Sequence, residues 1–296
     1  MDRIIVGLER YEDYLRKLSQ KTAYPYYIFK ERTFPNDEVL LRLENPDDIR
    51  GKQVILFFPT YPDPNANLIK LFLGLSILQD YGCKEITLII PYLSYSRQDK
   101  RFLTGEAISL KVLLNILSIW PITRLITINV HNYNSLKEYA KQNIIDLNLI
   151  LELAKSALNI IGSENTVLIA PDIGRKEDVQ KVADSLNMPF AYCIKSRDRI
   201  TGEVTIKDVV GIKKHFKKAL IIDDEVSTGG TAIKVTKKLK SLGIEDIYLA
   251  AVHLLLVDTA DIKLFNSGIK RIFGTNTIRN NYSIIDITEY LAYVLK

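Results

Sequence analysis

Residues 219–231, Ala-Leu-Ile-Ile-Asp-Asp-Glu-Val-Ser-Thr-Gly-Gly-Thr, decide the fold of this chain. The apolar start of the stretch predicts a buried strand, which ends in two acids, Asp223 and Asp224. Small and hydroxyl-bearing residues follow, and then a helical pattern begins. A strand, a glycine-rich turn and a helix N-terminus together predict a phosphate site, because unhindered backbone N–H groups and the helix dipole favour an anion there.

The turn and the two acids predict different parts of one ligand. The phosphate-binding turn consists of Ser227, Thr228, Gly229, Gly230 and Thr231. Asp223 and Asp224 cannot bind phosphate themselves but suit the hydroxyl groups of an attached sugar. The predicted ligand is therefore a sugar phosphate. The alternative is an ordinary strand-turn-helix corner with solvated acids, an interpretation that a bare Gly-Gly turn would favour.

Short apolar runs alternate with helical patterns along all 296 residues, which predicts an α/β fold of mainly parallel sheets flanked by helices. The predicted strands are residues 4–6, 39–43, 54–58, 87–90, 125–130, 167–170, 190–194, 220–222, 247–252 and 272–273, and a β pattern resumes at residues 203–206. The predicted helices are residues 67–80, 107–118, 176–186, 231–241 and 287–295. A Gly-x-x-x-Ile-x-Leu pattern starts at both Gly82 and Gly243, which supports two similar domains, 1–147 and 148–296.

Bulk composition narrows the function class. The net charge of +5 is modest and spread along the chain, whereas a nucleic-acid-binding protein usually has a concentrated basic stripe, so we expect no nucleic-acid partner. The chain has two cysteines, Cys83 and Cys193, which excludes a disulfide framework and favours a reducing, cytoplasmic location. Lys70 interrupts the most apolar helical stretch, and we therefore expect no membrane span.

Polar motifs follow five of the predicted strands, at residues 96–101, 131, 171–174, 195–199 and 223–231. Ligands of open parallel sheets bind at the carboxyl ends of the strands, so this placement argues for one shared cleft. Asp172 offers the hard oxygen ligand that magnesium prefers. Each motif also has a plainer interpretation: a solvated loop at 96–101, a structural histidine at 131, a helix N-cap at Asp172 and a charged hairpin at 195–199.

The motifs stand in the order found in the ribose-phosphate pyrophosphokinase family. Residues 223–231 closely resemble the ribose-5-phosphate loop of the phosphoribosyltransferase fold, and Pro171-Asp172-x-Gly174 resembles the family's Pro-Asp-x-Gly. Residues 95–100 resemble its Tyr-x-Arg-Gln-Asp-Lys, and residues 34–38 its Phe-x-Asn-x-Glu. The resemblance covers nearly the whole chain from about Phe34 onwards. It implies two tandem phosphoribosyltransferase-like domains, each a mainly parallel sheet flanked by helices.

The resemblance also implies an activity and a set of site residues. The activity is transfer of the diphosphoryl group of ATP to the anomeric hydroxyl of ribose 5-phosphate, with Mg²⁺ as cofactor, in a homo-oligomer of two or more subunits. The implied ATP-binding residues are Phe34, Asn36, Glu38, Arg97, Gln98 and His131. The implied ribose-5-phosphate-binding residues are Asp223, Asp224, Ser227, Thr228, Gly229, Gly230 and Thr231. Lys195 and Arg197 are the implied catalytic residues, and His131 and Asp172 the implied metal ligands.

Two departures from the family pattern keep alternatives open. Asn129 stands where the family has the aspartate of Asp-x-His, and Ser227 stands where many members have aspartate. Because of these departures, the chain could be a catalytically silent regulatory homologue. The intact Lys195 and Arg197 argue against that alternative. The other alternative is a phosphoribosyltransferase, which would share residues 223–231 but would not need the motifs at Phe34 and Arg97.

Overall fold

The computed structural model of the protein describes residues 2–197, 204–213 and 215–296. The chain divides into two compact units, Met1–Leu147 with Ile287–Lys296, and Asn148–Asp286. Residues 287–296, which were predicted to belong to the second domain, instead pack in the first unit. Leu291 and Leu295 are buried there, Arg3 Nη1 donates to the carbonyl oxygen of Leu295 at 2.9 Å, and Lys21 Nζ donates to Glu289 Oε1 at 2.5 Å.

The first unit is an α/β unit. Its strands are β1 (Arg3–Leu8), β2 (Tyr26–Thr33), β3 (Val39–Leu43), β4 (Gln53–Phe57), β5 (Glu85–Ile89), β6 (Ile122–Ile128) and β7 (Asn143–Leu147). Its first four helices are α1 (Glu12–Thr22), α2 (Pro64–Asp80), α3 (Ser109–Leu117) and α4 (Tyr133–Tyr139). The described strands form one seven-stranded sheet in the order β3-β2-β1-β4-β5-β6-β7. The pairing is parallel except for the β2–β3 hairpin.

The second unit has the same plan. Its strands are β8 (Thr166–Ala170), β9 (Phe190–Arg197), β10 (Val204–Val210), β11 (Lys218–Val226), β12 (Asp246–Leu254), β13 (Ile269–Thr275) and β14 (Ser283–Ile285). Its helices are α5 (Ile150–Ile161), α6 (Lys176–Leu186), α7 (Gly230–Ser241) and α8 (Ala260–Ser267), and α9 (Ile287–Leu295) follows in the first unit. The order of the described strands is β10-β9-β8-β11-β12-β13-β14, with one antiparallel pair, β9–β10.

The two sheet orders show that the repeat detected in the sequence is structural. β5 and β12 both lie fifth in their sheets. Ile86 of β5 aligns with Val54 of β4, and Ile247 of β12 aligns with Ala219 of β11, so the Gly-x-x-x-Ile-x-Leu segments enter equivalent strands in the same register. Helices on both faces bury the central strands, and all of residues 219–222 are therefore inaccessible to water.

Several elements were not predicted from the sequence: β2, β7, β14, α1, α4, α5 and α8. β2 was missed because Lys30, Glu31 and Arg32 interrupt its apolar pattern. The strand forms because it pairs with β1 on one side and β3 on the other, which one segment of sequence cannot reveal. No helix in the described part of the chain is both long and apolar enough to cross a membrane.

Candidate active site

The best-formed polar site lies at the carboxyl edge of the second sheet. β9, β8 and β11 are neighbours there, in that order. Lys195 lies near the end of β9, Asp172 follows β8, and the phosphate-binding turn follows β11. Because the three strands are parallel, the segments that follow them meet at one edge. This brings together three motifs that are far apart in the sequence.

The phosphate-binding turn leads directly into α7, which begins at Gly230. Gly229 precedes the helix with φ +74, a left-handed conformation that glycine adopts without a steric penalty. A Cβ atom at Gly229 would lie 3.0 Å from Leu264 Cγ, so the close packing against α8 also favours glycine. Thr228 and Gly230 are exposed, and the helix N-terminus next to them is suited to an anion.

The two acids lie within β11, which continues to Val226 and is longer than the predicted strand. Asp224 is buried, and its Oδ2 lies 3.3 Å from Arg175 Nη2. Its backbone N–H donates to Asp223 Oδ1 at 3.0 Å. Asp223 is half-buried, but protein atoms enclose its carboxyl group. The pKa of Asp223 is therefore raised well above its ordinary value. Burial is the largest cause, followed by the charge and hydrogen bond of Asp224 and the charge of Asp172, whereas the charge of Arg175 lowers this pKa.

Lys195 connects the other two motifs. Its Nζ donates to Asp172 Oδ2 at 2.5 Å and to Thr231 Oγ1 at 3.5 Å. Asp172 Oδ1 accepts from the backbone N–H of Arg175 at 3.1 Å, so Asp172 also has the N-cap role, here on the 3₁₀ helix Ile173–Arg175. Arg197 is the last residue of β9, and its side chain lies outside the described residues, as does the whole of Arg199.

Arg175 is a site residue that was not predicted from the sequence. Arg175 Nη2 lies 3.3 Å from Asp224 Oδ2, and Arg175 Nη1 donates a hydrogen bond to Asp178 Oδ2 at 3.2 Å. The side chain is only 17% exposed. Its position directly after Pro-Asp-x-Gly was the available signal, but nothing in the sequence indicates that β8 and β11 are adjacent and bring Arg175 to Asp224.

Three of the predicted ATP residues, Arg97, Gln98 and His131, follow β5 and β6, which are adjacent strands. Arg97 is exposed, whereas Gln98 Oε1 accepts from Ser109 Oγ at 2.5 Å. Asp99 is buried and accepts from Asn132 Nδ2 at 2.6 Å and from Ser135 Oγ at 2.8 Å. These contacts join the loop after β5 to the loop that carries His131. Asp99 was given no predicted role, although it stands in the quoted motif.

Asn129 and His131 stand at the end of β6. Asn129 is buried with φ +43, and its backbone N–H donates to the carbonyl oxygen of Leu147 at 2.9 Å. Asparagine is one of the residues that enter left-handed conformations more readily than most. His131 is half-buried. Nearby, Asp146 accepts from Thr127 Oγ1 at 2.7 Å, and burial raises the pKa of its carboxyl group.

Phe34, Asn36 and Glu38 form the turn of the β2–β3 hairpin. The backbone N–H of Phe34 donates to the carbonyl oxygen of Glu38 at 2.8 Å, and Asn36 Oδ1 accepts from the Glu38 N–H at 3.4 Å. The local structure of this motif is therefore a turn capped by asparagine. The Phe34 ring is half-buried, and the Arg32 guanidinium lies 5.1 Å from its centroid.

The donor set of the second unit suits a magnesium ion that phosphate oxygens also bind. Among the described residues, no group of three or more histidine, cysteine, aspartate or glutamate side chains could hold a metal ion by itself. Magnesium usually binds one or two carboxylates together with substrate phosphates and water. Asp172 fits that role, and the ammonium group on its Oδ2 shows that this carboxylate attracts a cation.

The fold and the site define a protein class, one built from two phosphoribosyltransferase-like units. Residues 137–283 match the phosphoribosyl transferase domain, and residues 4–120 match the N-terminal domain of ribose phosphate pyrophosphokinase. A crystal structure of phosphoribosylpyrophosphate synthetase from Mycobacterium smegmatis has the same fold, with a TM-score of 0.87 at 24% sequence identity over 100% of this chain and 98% of that one.

Sequence similarity to curated proteins extends over the full length. A ribose-phosphate pyrophosphokinase of Saccharolobus solfataricus is 37% identical over 295 residues, which cover 99% of this chain and 100% of that protein. A ribose-phosphate pyrophosphokinase of Sulfurisphaera tokodaii is 35% identical over 292 residues, which cover 98% of this chain and 99% of that protein. The chain therefore belongs to the ribose-phosphate pyrophosphokinase family.

Proposed function

We propose that this chain transfers the β,γ-diphosphoryl group of ATP to the anomeric hydroxyl of ribose 5-phosphate, giving 5-phosphoribosyl 1-diphosphate and AMP. One observation carries the proposal: Lys195 contacts both Asp172 and Thr231 at the edge where β11 carries its two acids. A sugar-phosphate site and a cationic side chain are thereby in direct contact, in a family named for this reaction.

The second unit would bind ribose 5-phosphate. The backbone N–H groups and hydroxyls of the phosphate-binding turn, in which Thr228 and Gly230 are exposed, suit the 5-phosphate, since the dipole of α7 favours negative charge at that point. Asp223 and Asp224 would accept hydrogen bonds from the ribose hydroxyls. Ser227 retains a hydroxyl that can bond a phosphate or sugar oxygen, so we expect its departure from the family pattern to alter affinity without abolishing activity.

The first unit would bind ATP. Arg97 is exposed in the loop after β5 and offers a planar guanidinium group to phosphate oxygens. His131 follows the adjacent strand, and Asp99 holds the two loops together through Asn132 and Ser135. Gln98 would contribute through its amide once the bond from Ser109 to its Oε1 is shared or broken. Phe34 would stack on adenine, with Asn36 and Glu38 providing polar contacts.

Lys195 and Arg197 would lower the barrier for diphosphoryl transfer. The anomeric oxygen forms a bond to the β-phosphorus of ATP, the bond from that phosphorus to the α,β-bridging oxygen breaks, and the hydroxyl proton is released. Positioning and charge stabilisation supply most of the rate acceleration in such transfers. Lys195 would leave Asp172 and contact the transferring group, so its bond to Asp172 describes the protein before the substrates bind.

Mg²⁺ is the proposed cofactor. Asp172 would hold it in the second unit together with phosphate oxygens, and His131 would help to hold magnesium-ATP in the first. Bound there, the ion would neutralise negative charge on the phosphates. Asn129 keeps a hydrogen-bonding oxygen but lacks a carboxylate charge, so Asp172 is the stronger of the two proposed ligand positions.

The active form is proposed to be a homo-oligomer of at least two subunits. β2 and β6 are four strand positions apart in the first sheet, roughly 19 Å at ~4.8 Å per strand. Phe34, which follows β2, is thus distant from His131 of its own chain, which favours a neighbouring subunit as the source of the adenine-stacking ring. Leu41 and Leu43 of β3 are buried within the unit.

We place the reaction in the cytoplasm. Cys83 and Cys193 are both free, and burial raises the pKa of their thiols to about 11 and about 12 respectively. Thiols in this state are protonated and unreactive at neutral pH. A chain with two separate, unreactive cysteines is suited to a reducing compartment.

Separation of the nucleotide products tests the proposed function. The purified protein is incubated with ATP, ribose 5-phosphate and Mg²⁺, and the adenine nucleotides are then resolved. AMP formed only in the presence of ribose 5-phosphate is the expected result. Matched formation of ADP would identify an ordinary sugar kinase, and no turnover at all would identify the silent homologue.

A further inference from the structure

Arg175 is in contact with both halves of the ribose-phosphate site. Its guanidinium group lies 3.3 Å from the carboxylate of Asp224 on β11. Its backbone N–H donates to Asp172 at 3.1 Å, and Asp172 in turn accepts from Lys195. A single residue therefore joins the segment after β8 to the strand that carries the sugar-binding acids.

The charge at this edge makes such a cation necessary. Asp224 is 6% exposed, and Asp223 and Asp172 lie close enough to influence each other electrostatically. Buried carboxylates are costly unless they are paired and hydrogen-bonded. Lys195 cannot supply the lasting countercharge, because the proposed mechanism requires it to move to the transferring group. Among the described residues, Arg175 is already paired with Asp224 and can stay there.

The contacts of Arg175 assign it to positioning rather than to direct contact with a ligand. Nη1 is directed at Asp178 and Nη2 at Asp224, so the two ends of the planar fork face two carboxylates. Asp178 lies on α6, which fixes the other end of the side chain. The guanidinium group thus holds the Asp224 carboxylate at a fixed distance from α6.

We propose that Arg175 is a positioning residue for ribose 5-phosphate, holding Asp224 in the orientation that accepts the ribose hydroxyls and keeping it aligned with Asp172. This inference rests on the proposed function. It differs from the proposed catalytic roles because Arg175 acts through Asp224 and not on the transferring diphosphoryl group. Its loss should therefore affect ribose 5-phosphate binding far more than ATP binding.

Direct binding of ribose 5-phosphate, measured by calorimetry without ATP, is the first test. Arg175→Gln should weaken binding by about 30-fold or more, as expected when one partner of a buried charge pair is removed. Arg175→Lys keeps the charge but lacks the planar guanidinium group that bonds both carboxylates, so an intermediate loss of ribose 5-phosphate affinity is expected. Arg271→Gln is the matched control, since Arg271 is an exposed arginine of the same unit whose guanidinium lies over Phe273.

Steady-state kinetics and chemical rescue separate positioning from a general structural role. The KM for ribose 5-phosphate should rise in Arg175→Gln while the KM for ATP changes less than about twofold, and added guanidinium ion should restore part of the loss. Adding Asp224→Asn to Arg175→Gln should cost less than the sum of the two single effects, because they disrupt one contact. If Arg175→Gln does not fold, the KM values for ribose 5-phosphate and ATP are compared in Arg175→Lys and Asp224→Asn instead.

The outcomes distinguish this inference from the proposed function. Wild-type protein that neither binds ribose 5-phosphate nor forms AMP from ATP in its presence would overturn the proposed function and with it the role of Arg175. Wild-type binding that Arg175→Gln leaves unchanged, or equal KM increases for both substrates, would overturn the positioning role alone.

Discussion

Gly229 offers a sharp test of how the phosphate-binding turn is built, because two independent costs can be assigned to one added methyl group. Gly229 has φ +74, and a left-handed residue with a Cβ atom costs about 1–2 kcal/mol. The new Cβ would also lie 3.0 and 3.1 Å from Leu264 Cγ and Cδ2, and overpacking of this kind costs about 1–3 kcal/mol. Gly229→Ala should therefore lower the local free energy of unfolding by about 2–5 kcal/mol.

Two other glycines of the second unit separate these costs. Gly243 has φ +87, but a Cβ atom added there would have no neighbour within 4 Å, so Gly243→Ala should show the conformational cost alone, about 1–2 kcal/mol. Gly230 lies at the start of α7 without a positive φ, and its Cβ would be 3.8 Å from Thr228 Oγ1. Gly230→Ala should not destabilise the unit, since alanine favours the helix by about 0.5–1 kcal/mol.

Hydrogen exchange of the backbone amides in β11 and α7 measures these differences within the second unit. It is better suited than whole-chain denaturation, because a protein of two units need not unfold in one step. Gly230→Ala should still weaken ribose 5-phosphate binding, since its methyl group would project beside the proposed phosphate position. If Gly229→Ala loses no more protection than Gly243→Ala, the packing argument at Leu264 is incorrect.

Four further predictions concern the site. Lys195→Ala and Arg197→Ala should each lower kcat on the order of 10²–10⁴-fold. A near-normal kcat in both variants would mean that residues 195–199 have a structural role only. Asp223→Asn should raise the KM for ribose 5-phosphate more than that for ATP. Because the raised pKa of Asp223 lets the folded state keep a proton that the unfolded state loses above about pH 4, stability from this group falls as pH rises. The ligand-free Asp223→Asn variant should therefore gain stability over wild type with increasing pH, and a pH-independent difference would contradict that assignment. Phe34→Ala and Lys195→Ala subunits, each weak alone, should recover activity when co-refolded; no recovery, or an active monomer by light scattering, would argue against a shared site.

The buried parallel strands were the most predictable part of the fold. Residues 54–57 and 219–222 are continuous apolar runs because helices cover both faces of each sheet, and such runs are visible in a single sequence. β2 carries Lys30, Glu31 and Arg32 at its hairpin end, and its pairing partners come from elsewhere in the chain. α9 was predicted as a helix, but its packing in the first unit depends on tertiary contacts such as that of Arg3 with Leu295.

The site was predictable wherever a motif is contiguous. The phosphate-binding turn, with its glycine-dependent backbone at Gly229, lies in one stretch of sequence. Arg175 and Asp224 are separated along the chain and meet only because β8 pairs with β11. The bond between Lys195 and Asp172 has the same origin, the adjacency of β8 and β9. Local chemistry was therefore accessible to sequence reasoning, and charge pairing across strands was not.

Phosphorus NMR of the complete reaction tests the central claim most directly. With ATP, ribose 5-phosphate and Mg²⁺, the β- and γ-phosphorus atoms of ATP should leave the adenosine together and appear as a diphosphate on the anomeric carbon of the sugar, in equal amount to AMP. Appearance of the γ-phosphorus alone on the sugar, with the β-phosphorus retained in ADP, would contradict the account.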